Sequence, residues 1–579
     1  MVMDTQSSKA LAGQTHIEAV KNRFPGAIKS VEWVQDYQPV ITVAGDMAPD
    51  VIEYLYYERG GWMPVMVGND ERQLVGCFAL YYVLSMEEQD KCMMQVRVEV
   101  DPQTMTFKSV SPKVPAAVWP EREVQDMFGL HAEGIIDNRN LVLPDDWPQG
   151  VYPLRKDAMD YRYRPEPTSD IESYQFLKET GDRETTTIPM GPMHITSDEP
   201  GHFRLYVDGE TIVDADYRMF FIHRGMEKVA ESRMNYDQVP FLAERVCGIC
   251  GFAHSTAYAQ TIERAQGIVV PLRAEYIRAL VLETERLHSH LLNLGLVCHY
   301  SGFDTGFQHF FRVREKSMDL AEMLTGARKT YGLNLIGGVR RDILAKQKLE
   351  TLRYCEELRS EVKSLVDELL STPNFEKRAS GVGVLDPKVC RDYSPVGPYV
   401  RGSGFARDAR WVHPYEAYKY IAHNHKPITQ DTCDVMGRTL VRVAEVFDSL
   451  DIIEELLSAD LPAGPVLNDK FEVKPNKFAL GWVEAPRGED MHWSMVGDNQ
   501  KCYRWRAKAS TYSNWAALRY AFRGNTISDA ALIVGSLDPC YSCTERVTIV
   551  DVKKNKQQTI SKAQLEDYCR TRTHSPIDL

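Results

Sequence analysis

The chain has 579 residues, 44% of them hydrophobic and 26% charged, and a formal net charge of −13. This composition excludes a disordered or low-complexity protein and supplies chain for roughly three or four domains. The acidic balance argues against nucleic acid as a partner, because phosphate binding needs a basic face.

No apolar run reaches the roughly 18–20 residues that cross a bilayer. Met1 to Val20 is polar and lacks the apolar core of a secretion signal. The expectation is a chain kept inside the cell with its 12 cysteines reduced. In chain order, Val40–Val43, Cys77–Leu84 and Val96–Val100 read as strands, the last with period-two alternation. Asp50 to Arg59 reads as a helix between the first two. Together they predict a small α+β domain over residues 1–165. A turn-rich stretch, Pro112 to Lys156, closes it. The polar, Pro- and Gly-broken segment from Asp157 to Thr187 reads as a connection, with a linker at 166–185. Helical periodicity then dominates: Leu272–Leu294, Phe311–Leu324, Ile343–Leu370 and Cys433–Leu457 repeat apolar residues at helix spacing. No internal repeat of fixed period appears.

Chemistry concentrates in two places. Cys247-Gly248-Ile249-Cys250 and Cys540-Tyr541-Ser542-Cys543 are the only C-x-x-C pairs. A two-residue gap lets both sulfurs of a turn face one metal ion, and thiolates select zinc, iron–sulfur clusters, nickel or copper over hard cations. Three readings stand open on spacing. Structural zinc pairs usually lie 15–20 residues apart, whereas these are separated by roughly 290. A redox dithiol needs only one pair. A catalytic metal centre assembled from both ends of a large domain uses both.

The flanks, Arg245-Val246-Cys247-Gly248-Ile249-Cys250-Gly251-Phe252-Ala253-His254 and Asp538-Pro539-Cys540-Tyr541-Ser542-Cys543-Thr544-Glu545-Arg546, resemble the two nickel-binding signatures of [NiFe] hydrogenase large subunits. Gly191-Pro192-Met193-His194 with Asp198-Glu199-Pro200, His223-Arg224-Gly225-Met226-Glu227 and Glu484-Ala485-Pro486-Arg487-Gly488 look like further landmarks of that family. Trp119–Gly129 and Asp145–Lys156 resemble the 30-kDa-type subunit of respiratory complex I, and the remainder resembles its 49-kDa-type subunit with cysteines retained. This fused pattern is similar to the membrane-associated, energy-converting hydrogenases of the formate hydrogenlyase group, and it covers nearly the whole chain. The implied fold is an α+β docking domain (1–165) followed by a mainly α-helical large-subunit domain with small β elements (186–546).

The resemblance implies roles. Cys247 and Cys540 would be terminal nickel ligands. Cys250 and Cys543 would bridge nickel to an iron carrying CO and two cyanides. A terminal thiolate is basic and in place to take the proton of heterolytic H2 chemistry. Glu199 matches the family glutamate that relays that proton; without the resemblance it reads as a surface carboxylate before Pro200. Arg487 matches the arginine over the open metal position, where a fixed cation suits an anionic cluster; otherwise it reads as a capping or salt-bridged arginine. Asp538 is expected to hold Arg487 by a paired hydrogen bond. His254 is expected to donate to a bridging sulfur. His288 and His290 lie two apart on a helix, share no face and read as structural. The eight other cysteines read as isolated core or surface thiols.

Val547 to Leu579 would be a tail that a dedicated endopeptidase removes after Arg546 once nickel is inserted, with Val547-Thr548-Ile549-Val550 able to form a strand. Many relatives carry histidine where Arg546 stands, and arginine occurs in the formate-linked group. The implied partners are an iron–sulfur small subunit, further electron-transfer and membrane subunits, a formate dehydrogenase, and the maturation endopeptidase with nickel-insertion proteins. The clusters would sit in partners, because this chain holds no further cluster-binding cysteine set. The implied location is the cytoplasmic face of a bacterial inner membrane, reached through partners. Two other readings compete: a non-catalytic quinone-module scaffold, and a zinc-stabilised assembly protein.

Overall fold

A computed structural model describes residues 11–160, 162, 165–168, 174–181, 184–191, 200–221, 223–540, 549–551 and 556–558. Glu199, Cys543, Arg546 and Val547 lie outside the described residues.

Helix α1 (Gln14–Arg23) leads into strands β1 (Ile28–Gln35) and β2 (Gln38–Val43). A short helix, Ala48–Glu53, continues as a single π turn through Glu58. Strands β3 (Trp62–Glu71), β4 (Cys77–Met86) and β5 (Cys92–Val100) complete a five-stranded sheet of order β1-β2-β5-β4-β3. Only β2 and β5 run parallel; the other pairs are antiparallel. The near-continuous apolar run of β4 has a clear cause. Leu80, Tyr82 and Leu84 join one core, while Ala79, Tyr81 and Val83 join the core of the helical part. A strand alternates its side chains between two faces, so a sheet buried on both sides loses its polar stripe.

The stretch expected to be only turn-rich holds a helix, α2 (Val118–Phe128), capped by Gly129 in the left-handed region at φ 66°. Its buried positions include Glu121, Arg122 and Asp126, so apolar periodicity could not reveal it. Glu121 accepts from the Val110 N–H at 2.7 Å and the Tyr82 hydroxyl at 3.0 Å. Asp126 accepts from the N–H groups of Leu141, Val142 and Leu143.

A second sheet, β6 (Thr186–Met190), β7 (His202–Asp208) and β8 (Thr211–Arg218), is antiparallel throughout. The helical part follows: α3 (Gly251–Gln266), α4 (Leu272–Tyr300), α5 (Asp304–Thr325), α6 (Ala345–Leu370) and α7 (Val435–Leu456). Four of these match the helical periodicities within a few residues at their ends, with α4 and α5 longer than expected. A third sheet, β9 (Phe478–Ala485), β10 (Gly488–Val496) and β11 (Cys502–Lys508), packs between the first sheet and α3. Trp493 Nε1 donates to Gln95 of β5, and Arg504 Nε to the Gly68 carbonyl of β3, tying the two sheets together. Helices α8 (Ser510–Phe522) and α9 (Ala530–Leu537) end the described core. In the tail, Ile549–Asp551 pairs antiparallel with Lys556–Gln558. Among the described residues no helix is long and apolar enough to cross a membrane. Cys92, Cys298, Cys355, Cys390 and Cys502 are buried free thiols, and Cys77 and Cys433 are half-buried ones.

Candidate metal centre

The first cysteine pair sits where the chain turns into α3. Cys250 is the N-cap of that helix, and Cys247 Sγ accepts from the Ile249 N–H at 3.4 Å. A thiolate at a helix N-terminus faces the positive end of the macrodipole. Glu285 of α4 caps the same helix by accepting from the Phe252 and Ala253 N–H groups at 2.8 and 2.9 Å. Burial pushes Glu285 up to about 7 against those bonds. Gly251 is required by space: a Cβ there would lie 2.4 Å from the Tyr331 ring and 2.6 Å from the Glu244 carbonyl oxygen.

The second pair follows α9. Asp538, in the left-handed region at φ 60°, ends the helix and turns the chain into Pro539 and Cys540. The Cys540 N–H donates to the Thr511 hydroxyl of α8 at 3.3 Å. Cys540 and Cys247, 293 positions apart, bring their sulfurs to 3.2 Å. Hydrogen bonds from Cys250 and Cys540 pull the Cys247 thiol well below its ordinary range, and Arg487 adds to this. The bond to Cys247, with burial, pushes Cys250 well up. Cys250 and Cys540 thus both bond toward the Cys247 sulfur.

Arg487 occupies the β9–β10 turn. Gly488, at φ 124°, lets that turn touch the backbone of Gly397, where a Cβ would sit 2.5 Å from its nitrogen. Arg487 Nη2 lies 3.0 Å from Asp538 Oδ1, and Nε donates to the Asp538 carbonyl at 2.8 Å. The fork therefore grips one residue by its carboxylate and its backbone, rather than by both carboxylate oxygens. Nη1 is buried with no hydrogen-bond partner among the described residues. Burial opposes the charge of Arg487, but Asp538 and Cys247, Cys540 and Cys250 together outweigh it. Behind Asp538, Arg442 of α7 donates to the Ser536 carbonyl at 2.9 Å and reaches within 4.0 Å of Asp538 Oδ2.

His254, one turn along α3, places Nδ1 2.7 Å from Asp490 Oδ2 and 3.1 Å from His492 Nε2. Its hydrogen bond among the described residues is thus to His492, with the Asp490 carboxylate at ion-pair distance, both on β10. Sequence reasoning missed Asp490, His492, Arg442 and Glu285. The first two had a signal: Asp490, His492 and Ser494 alternate with Met491, Trp493 and Met495, the period-two mark of a strand with one polar face. His290 is structural, as expected, bonding Glu445 at 2.7 Å; His288 is buried and held near 3 by that burial.

Three converging thiols form a soft donor set, and the unspent Arg487 Nη1 supplies a cation beside it. The donor set fits a soft transition metal, the kind of site a thiolate-bound metalloenzyme would use. The comparisons name the class. The family model of the nickel-dependent hydrogenases matches residues 224–299. That of the respiratory-chain NADH dehydrogenase 49 kDa subunit matches 301–479 and 470–546, and that of the 30 kDa subunit matches 41–163. Formate hydrogenlyase subunit 5 of Escherichia coli (strain K12) is 57% identical over 570 residues, 98% of this chain and 100% of the relative. Hydrogenase-4 component G of the same strain is 56% identical over 571 residues, 99% of each chain. Among solved structures, a chain of the membrane-bound sulfane sulfur reductase, an archaeal respiratory membrane complex, is 30% identical with a TM-score of 0.59, covering 63% of this chain and 99% of that one. The chain belongs to the [NiFe] hydrogenase large subunits of the formate hydrogenlyase type, fused to complex I-like 30 and 49 kDa elements. It is a catalytic hydrogenase subunit.

Proposed function

We propose that this chain evolves H2 with electrons that originate in formate and arrive through iron–sulfur partner subunits. The observation that carries the reading is the meeting of Cys247, Cys250 and Cys540 beneath Arg487. Cys247, Cys250, Cys540 and Cys543 would hold nickel and iron, the iron carrying CO and two cyanides. When bound, that pair supplies the two-electron chemistry of H2. The chain's residues do the rest. Cys540 takes the proton at its sulfur, because a thiolate there is basic and fixed in place. Arg487, clamped by Asp538, holds its free Nη1 against the anionic centre without reorganising. Glu199 passes the proton toward solvent. His254 supports a sulfur from the side. The chain would dock on the cytoplasmic face of the membrane through its partners, and residues 547–579 would be removed after Arg546 during maturation.

Infrared spectroscopy with nickel and iron analysis and intact mass, on the mature complex, tests the assignment. The expected result is CO and cyanide bands, one nickel, and a chain ending at Arg546. Zinc alone, or no metal, would sink it. Glu199→Gln is expected to keep both metals and stop H2 evolution; full evolution would remove Glu199 from the relay. The quinone-scaffold reading has no use for three converging thiols.

A further inference from the structure

Helix α9 ends at the second cysteine arm, and α7 closes over that end. Arg438 and Arg442 of α7 are both buried. They lie four positions apart, so both guanidiniums leave one face of the helix, and like charges at that spacing repel. Burial adds a cost that only an anion or well-placed acceptors offset. Yet Arg438 forms no ion pair among the described residues. Arg442 has one carboxylate near it there, Asp538, with Oδ2 4.0 Å from its Nε.

Both arginines grip the last turn of α9 instead. Arg442 Nη2 donates to the Ser536 carbonyl at 2.9 Å, and Arg438 Nε to the Ser536 hydroxyl at 3.1 Å. Asn293 of α4 donates to the neighbouring Gly535 carbonyl at 2.9 Å. The final carbonyls of a helix have no partner within it and form its negative end, so cations are favoured there. Arg438 Nη1 and Nη2 bond the Cys433 and Gly383 carbonyls, and Arg442 Nη1 the Arg438 carbonyl. One nitrogen is left over. Arg442 Nε has no hydrogen-bond partner among the described residues, and neither has Asp538 Oδ2, which it faces. The other oxygen, Oδ1, is the one 3.0 Å from Arg487 Nη2. Asp538 thus stands between two arginines, one on the metal side and one behind.

We propose that Arg442 is a positioning residue for Arg487: it anchors the end of α9 and faces Asp538 from behind, and so sets the carboxylate on which the Arg487 fork rests. Arg442 touches no thiol and no reacting atom; it acts through Asp538. Two charges that attract across a buried gap fix a carboxylate's direction without saturating it, which leaves Oδ1 to Arg487. The proposal rests on the role given to Arg487 above.

Two readouts on the mature complex test it. A lysine keeps the charge of Arg442, but its single nitrogen cannot both hold the Ser536 carbonyl and face Asp538. In R442K, amide hydrogen exchange over residues 536–540 should quicken about tenfold, because the Asp538 N–H bond to Gly535 and the Cys540 N–H bond to Thr511 lose their support. R487K should leave that exchange unmoved. The second readout is H2 evolution per nickel with reduced methyl viologen as donor, so that formate plays no part. R442K should lower it about tenfold, as a misplaced group does. In the R487K background R442K should lower it by less than about twofold, because residues acting in series are not additive. Wild-type exchange or wild-type turnover in R442K, or an equal loss in both backgrounds, would overturn the proposal. If R442K loads no nickel, R442Q replaces it under the same criteria, since its amide still reaches for the Ser536 carbonyl without bringing a charge to Asp538. Failure of both to load would make Arg442 a folding residue and overturn the proposal as well. Full turnover in R487K alone would instead remove the role given to Arg487.

Discussion

In the first sheet, Leu80, Val83 and Val96 are fully buried and bring only carbon inside. Between α4 and α7, Glu283, Arg286, Arg401, Arg410 and Glu445 are buried to the same degree. Glu283 alone accepts from Arg286, Arg410, the Tyr418 hydroxyl and the Ser449 hydroxyl. Arg401 bridges Glu445 and Glu484, the latter at the end of β9 next to the Arg487 turn. Apolar burial stabilises by about 1.5–3 kcal/mol per side chain. A buried ion cluster gains little over apolar packing of equal volume, but losing one member leaves stranded charge. The sheet is thus a source of stability, and the charged core is a source of geometry: it joins α4, α7 and β9 by directional bonds beside the metal centre.

Three measurements sharpen or break this contrast. Glu283→Gln should destabilise most, by about 4 kcal/mol, because Arg286 loses its anion and Arg410 keeps only the Asp408 side of its pairing. Its pH signature has a definite sign. In the fold Arg410 and Arg286, with hydrogen bonds from Ser449 and Tyr418, outweigh burial and hold Glu283 at about 2. Unfolded, a glutamate titrates near 4.3. The stabilisation is complete above that value and is lost as pH falls toward about 2. Denaturation between those values should be less pH-dependent in the variant than in wild type; parallel curves would show that the cluster carries no such linkage. Leu80→Ala in β4 should cost about 3 kcal/mol by opening a cavity, while nickel content and activity per nickel stay at wild type. A fall in activity per nickel would show that the sheet also shapes the site. Arg487→Lys should leave the fold and metals in place and lower turnover about 100-fold, about 2.7 kcal/mol, since an ammonium keeps the charge but not the fork that Asp538 holds. Unchanged turnover would mean that charge alone suffices there.

Legibility followed the same division. Strands β2, β4 and β5 and helices α4 to α7 were visible because apolar side chains repeat at the period of the backbone that carries them. Helix α2 was not, because Glu121, Arg122 and Asp126 interrupt its apolar buried positions, satisfied there by distant backbone groups. Sheet β9–β11 went unread although β10 alternates polar and apolar residues, because a polar stripe reads as a water-facing one, and here Asp490 and His492 meet His254 of α3 instead of water. The motif residues Cys247, Cys250, Cys540, Arg487 and Asp538 were all named in advance, while Asp490 and His492 were passed over for want of a local reason to pair with His254.

Taken alone, the chain's residue order determined the donor chemistry: two thiol pairs, each with the two-residue gap that one backbone turn brings to a common point. That is local geometry, set by bond lengths and dihedral angles. Packing decided what lies hundreds of residues apart. It brought Cys540 to 3.2 Å from Cys247, turned Arg487 onto Asp538, and set Trp505, His492 and Asp490 in line behind His254. No short-range rule reaches that far, because those distances depend on how α3, α9 and the third sheet share one buried volume.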